Sequence, residues 1–188
     1  MYRENINRIS LRHPLRKLFT GLTEINFYGK VGLCDPGIVF YVSELLIEFV
    51  HVDSLYKIRD SQGKKLDDIG EMLLEEESLA ATRDFDRERL LHKHIGDYTL
   101  FITGLFPESL KPRPRSIRLD YFLDYVKVGK KSYSIVSQFN QARYRKEAPL
   151  FRALSENFDL CVVGLNFVKK DLERLKNPYY LRAKRIIS

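Results

Sequence analysis

Apolar residues recur along this chain at steps of three and four, the spacing that gathers side chains on one face of an α-helix, and two-residue alternation is nearly absent. After Pro14, a residue suited to a first helical turn, Leu15, Leu18, Phe19 and Leu22 form one stripe that should dock on a core. Residues 24–34 (EINFYGKVGLC) combine two glycines with alternating apolar residues, which predicts an irregular connection or one short strand pair. Asp35 before Pro36 predicts a capped helix start, and the run 38–50 is apolar on all sides, as expected of a central buried helix. A turn at DSQGK (60–64) leads to an amphipathic helix marked by Leu66, Ile69, Met72 and Leu73, with Glu75, Glu76 and Glu77 as its solvated end.

From Thr82 onward Leu91, Ile95, Tyr98, Ile102 and Leu105 predict a long helix stopped near Pro107. The basic, proline-spaced stretch KPRPRS (111–116) reads as an exposed linker between two halves of one core. Ser116 is placed to cap a helix carrying Tyr121, Phe122, Tyr125 and Val128, with a break expected at Gly129, Lys130 and Lys131. Phe151, Leu154, Phe158, Cys161, Leu165, Val168, Leu172 and Leu175 alternate threes and fours, which predicts one long helix with a continuous seam. Its last leucines, 172 and 175, should stay accessible, and Asn177–Pro178 should end it ahead of a basic tail that is tethered or frayed. These patterns together give an all-α, multi-helix bundle in a single domain over 1–188, with a short irregular or β segment near 24–34 as the one exception.

Composition changes this picture little. A chain of 188 residues with 44% hydrophobic content can bury a sizeable core without disulfides or metals. Cys34 and Cys161 lie far apart and belong to no CxxC or Cys/His cluster, so neither metal nor cofactor is expected. Arginines occupy the N-terminus where a signal peptide needs an apolar stretch, and no apolar run reaches a membrane span, so the cytoplasm is the expected compartment. Charge is polarised: the net values are +4 over 1–34, −3 over 35–52, −4 over 53–97, +7 over 98–146 and +3 over 147–188. The acidic middle can fold back on the basic ends, or the basic ends can face an anionic partner.

The stretch HIGDYTLFITGLFPE (94–108) is the most distinctive in the chain, and it is similar to a family of uncharacterised bacterial proteins. That resemblance implies a bacterial origin and no mechanism. On a helix, His94, Asp97 and Tyr98 share a face and form a polar cluster, read either as an acid-base site or as a network that fixes helix packing, with packing favoured. Gly96 and Gly104 lie on neighbouring faces and read as points of close helix approach. Arg87 and Arg89 each precede a histidine by five positions (His92, His94), which resembles the loose arginine-histidine spacing of HEPN-type helical ribonucleases. In such a site the histidine handles protons and the arginine steadies phosphate charge. His92 and His94 point to opposite sides of a regular helix, which excludes one shared metal ion.

Three function classes follow, in order of preference. The first is a helical interaction or scaffold protein without catalytic activity, acting on a protein partner or a second copy. The second is a nucleic-acid or anion-binding module through residues 111–146, with Arg113, Arg115, Arg118, Lys130 and Lys131 as candidate contacts. The third is a HEPN-like ribonuclease using Arg87, Arg89, His92, His94 and Asp97.

Overall fold

Eight α-helices and no strand occur among the residues that the computed structural model describes, which are 13–49, 63, 69–80, 84–110, 118–140 and 142–187. In chain order they are α1 (Pro14–Asn26), α2 (Pro36–Phe49), α3 (Ile69–Ala80), α4 (Phe85–Leu105), α5 (Arg118–Gln138), α6 (Ala148–Glu156), α7 (Phe158–Arg174) and α8 (Pro178–Ile187). The turn at 60–64 and the proline-spaced stretch 111–116, apart from Gly63, lie outside the described residues. Buried side chains from every helix join in one hydrophobic core. No helix among the described residues is long and apolar enough to cross a membrane.

The centre of the bundle is α4. Every residue from 94 to 106 is buried, and the helix packs against α2, α3, α5 and α7. Asp84 starts it by accepting the Arg87 N–H at 3.1 Å, so one orphan donor of the first turn is satisfied. Thr99 and Thr103 return their hydroxyls to backbone carbonyls one turn earlier, at 2.7 and 2.6 Å, which lets two polar side chains sit in the core at little cost. The expectation that 38–50 forms a second central helix is corrected. Asp35 does cap α2, accepting the Gly37 and Ile38 N–H groups, but α2 buries only one side, and Phe40 on the other is 64% exposed.

Residues 24–31 are helical and form no strand pair, and the irregular segment expected near 24–34 is confined to 32–34. α1 runs into a π-helical turn, Phe27–Val31, that closes at Gly32 in the left-handed region (φ 76°), a conformation that carries no Cβ penalty in glycine. Phe27 is thereby set on Gly164 of α7, its Cε2 lying 2.4 Å from where a Cβ on that glycine would stand. Gly129, expected to break α5, lies inside a continuous helix instead. The space of its missing Cβ is filled by Thr99 and Phe158, so the residue lets α4 and α7 approach α5 rather than ending it.

The seam from 151 to 175 belongs to two helices, α6 and α7, that meet at Asn157 (φ −103°, ψ 17°). Phe151, Leu154, Phe158, Cys161, Leu165, Val168 and Leu172 are all buried on it, and only Leu175 emerges. Leu172 is therefore part of the core and not an accessible end. Asn177 ends the run and caps α8 through the Tyr179 and Tyr180 N–H groups, at 3.1 and 3.0 Å. The basic tail is thus tethered as a helix, whose Tyr180 ring stacks on Phe106 with centroids 5.3 Å apart.

Candidate functional site

Asp97 stands at the middle of α4 with 1% of its surface exposed. A carboxylate so placed costs several kcal/mol unless it is paired and hydrogen-bonded, on the order estimated for buried ions. Three donors meet it. Tyr41 of α2 donates to Oδ1 at 2.5 Å, Tyr133 of α5 donates to the same oxygen at 2.9 Å, and Lys93, one turn earlier on α4, donates to Oδ2 at 2.7 Å. The carboxylate therefore ties α2, α4 and α5 together at one point.

The surroundings are aromatic. Tyr41 and Phe151 meet edge to face at 5.5 Å, Tyr133 lies 5.7 Å from Phe151 and 5.8 Å from Phe158, and the Lys93 ammonium sits 5.3 Å from the Tyr41 ring centre. Tyr133 reaches Asp97 because Gly96 leaves room: a Cβ there would stand 2.5 Å from the Tyr133 ring. Gly104 admits Leu165 of α7 in the same way, so both glycines are points of close packing.

Burial, with Asp97 beside it, pushes both the Tyr41 and the Tyr133 hydroxyls well above the ordinary tyrosine range. Burial acts against the charge on Lys93, but the Asp97 carboxylate outweighs it and holds the ammonium more firmly protonated than usual. A base or nucleophile needs the opposite arrangement, a group poised to give up its proton near neutral pH. The site is built to hold protons in place.

The other polar candidates are held elsewhere. Glu75, expected on a solvated face, is buried and receives the Arg87 guanidinium at 2.5 Å, because α3 lies along the first turns of α4. Arg89 is buried, binds Glu147 at 2.5 Å and stacks over Tyr144 at 4.0 Å, which fastens the turn before α6 to α4. His92 is buried with Nε2 3.7 Å from Glu76, and Lys131 reaches the same carboxylate oxygen at 3.7 Å. His94 is buried, and its ring centre lies 6.4 Å from that of Tyr98, both outside the group of donors on Asp97 given above.

Of the anion candidates, Lys130 binds Asp159 at 2.5 Å, Lys131 faces Glu76, Arg118 opens α5, and Arg113 and Arg115 lie outside the described residues. Cys34 and Cys161 are free thiols, the first exposed and the second buried, with burial pushing the Cys161 thiol up to about 12. Among the described residues no group of three or more His, Cys, Asp or Glu side chains is placed to hold a metal ion.

Comparison with family models, with curated proteins and with solved structures finds no match. The functional reading therefore rests on geometry. Sequence spacing points to Asp97 but not to its phenol partners, since Tyr41 and Tyr133 stand 56 and 36 positions away. Lys93 was within reach of sequence reasoning: a Lys and an Asp four positions apart on a helix face each other.

Proposed function

We propose that this chain is a non-catalytic helical interaction protein of the bacterial cytoplasm, docking a protein partner through the outward face of α7. The observation that carries the reading is a row of apolar side chains on that face. Leu160 and Val163 are 43% and 45% exposed, and Phe167 continues the row at helical spacing. The inner face of α7 is already supplied by Phe158, Cys161, Leu165, Val168 and Leu172, so packing within the bundle gives no reason for the outer row.

Two ammonium groups, those of Lys30 and Lys170, lie 5.2 and 5.4 Å from the Phe167 ring centre. An apolar strip bordered by Lys170, and by Lys30 whose ammonium also lies 3.6 Å from Asp171, fits a partner that presents apolar anchors with a carboxylate on the Lys170 side. Further support comes from the committed state of the polar candidates. Arg87 and Arg89 hold Glu75 and Glu147, which weighs against their use on phosphate in a HEPN-like ribonuclease. Lys130, Lys131 and Arg143 each have a carboxylate, which weighs against a broad anion-binding face over 111–146. The two free thiols suit a reducing compartment.

The test places a photo-activated cross-linking residue at Val163 and, as control, at the exposed Asp124 of α5, in cells that make the protein. The expected result is one discrete adduct from position 163 alone. Its purified partner should bind the wild type and lose at least about tenfold in affinity, roughly 1.4 kcal/mol, against a folded Val163→Asp variant. Equal cross-linking from both positions, an adduct with a second copy of this chain, or unchanged affinity of the variant would overturn the proposal.

A further inference from the structure

Between the C-terminal end of α5 and the length of α6 lies an open groove of about 370 Å³, lined by Ser137, Asn140, Arg145, Ala148, Arg152 and Glu156 among others. That volume is in the range of small-molecule sites, roughly 300–1,000 Å³. Its charge pattern has a structural origin. Two carboxylates that reach the basic turn 143–146 are engaged on its α4 side: Glu147 is taken by Arg89, while Asp86 of α4 is shared by Arg143 and the Tyr144 hydroxyl. Among the described residues Arg145 and Arg152 make no ion pair, and both line the groove.

We propose that this groove binds a small phosphorylated polyol or nucleotide, its phosphoryl group held by Arg145 and Arg152 and its hydroxyls by Asn140 and Glu156. Guanidinium forks match the oxygens of a phosphate better than those of any other common small anion except a carboxylate. Glu156 decides between ligand types. A bare anion in the groove meets its repulsion, whereas a ligand with hydroxyl donors at the other end gives that carboxylate a partner. The amide of Asn140, which both donates and accepts, serves the same hydroxyl-bearing end. This inference is independent of the α7 face.

The probes are ribose 5-phosphate, AMP, ribose and inorganic phosphate, titrated calorimetrically into the wild type and into Arg145→Gln, Arg152→Gln and Glu156→Gln. All three side chains are exposed, and circular dichroism of each variant is the check that its helices are kept. Saturable binding of ribose 5-phosphate or AMP with a Kd below about 1 mM is expected, with inorganic phosphate at least about tenfold weaker and ribose silent. Each arginine variant should weaken the sugar phosphate at least about tenfold. Glu156→Gln should weaken the sugar phosphate and strengthen inorganic phosphate, a crossover that a general charge effect does not produce. Absence of saturable binding by either sugar phosphate up to ~10 mM overturns the proposal. So does binding retained by both arginine variants, or a Glu156→Gln variant that shifts all probes in one direction.

Discussion

Two polar centres on α4, little more than one helical turn apart, have opposite physical character. Asp97 is enclosed by donors at hydrogen-bonding distance from α2, α5 and its own helix. His92 is as deeply buried, yet its charged neighbours are looser, with Glu76 of α3 at 3.7 Å, Lys131 of α5 on the same oxygen, and Glu88 on its own helix. At the first centre the charge is answered on every side and fixes three helices against one another. At the second the imidazole is kept neutral by burial, which makes the α3–α4 seam dependent on proton concentration. Burial alone therefore does not set the behaviour of an ionisable group; the distance and sign of what surrounds it do.

The contrast breaks most readily at Asp97. Asp97→Ala leaves an ammonium and two phenols without their acceptor, and urea denaturation should register a loss of about 3 kcal/mol. Unchanged stability would remove the carboxylate from its role as the tie between helices. Gly96→Ala probes the same centre sterically. The new methyl meets the Tyr133 ring inside van der Waals contact, and a loss of about 2 kcal/mol is expected, relieved in part when Tyr133 is also shortened to Leu.

The third effect concerns pH. Burial holds His92 below its ordinary value of 6.5, so the fold favours the neutral ring. The stability this contributes is present above pH 6.5 and is lost as pH falls through that value toward the lowered one. The wild type should therefore lose stability on acidification from pH 7 to 5 more steeply than His92→Gln, measured by urea midpoints across that range. Parallel profiles would show that the seam at α3 carries no proton linkage through His92. The smallest effect belongs to the exposed pair Lys130–Asp159, where Lys130→Ala should shift stability by no more than about 0.5 kcal/mol.

Much of the fold is legible because hydrophobic spacing is set by the helix itself. α1, α4 and α7 follow their stripes closely, as Leu15 with Phe19, Leu91 with Ile95 and Leu165 with Val168 are all buried. The division at Asn157 is not legible from the stripe, because the Asn157 N–H still bonds the Ala153 carbonyl and its own carbonyl still accepts from Cys161, both at 2.9 Å. The seam passes through the break without losing register. Gly129 misleads for a related reason: propensity marks glycine as a weak point, while the fold uses it to admit Phe158. Of the Asp97 centre, local spacing points to the acid and, on the same face, to His94 and Tyr98, and leaves Lys93, four positions before Asp97, unremarked. Tyr41 and Tyr133 come from tertiary packing, which no local pattern encodes.

α8 closes the molecule late. Its Tyr180 and Ala183 line, with Phe19, Leu46, Phe101, Phe106 and Leu172, a space of only 20 Å³. On a ribosome, α1 through α7 emerge before this helix, so for the time needed to make and release its residues the Phe106 and Leu172 surfaces stand open to water and to other nascent chains. The apolar surface that Tyr180 covers on Phe106 is thus completed only when the ten residues of α8 have been added to the seven helices before it.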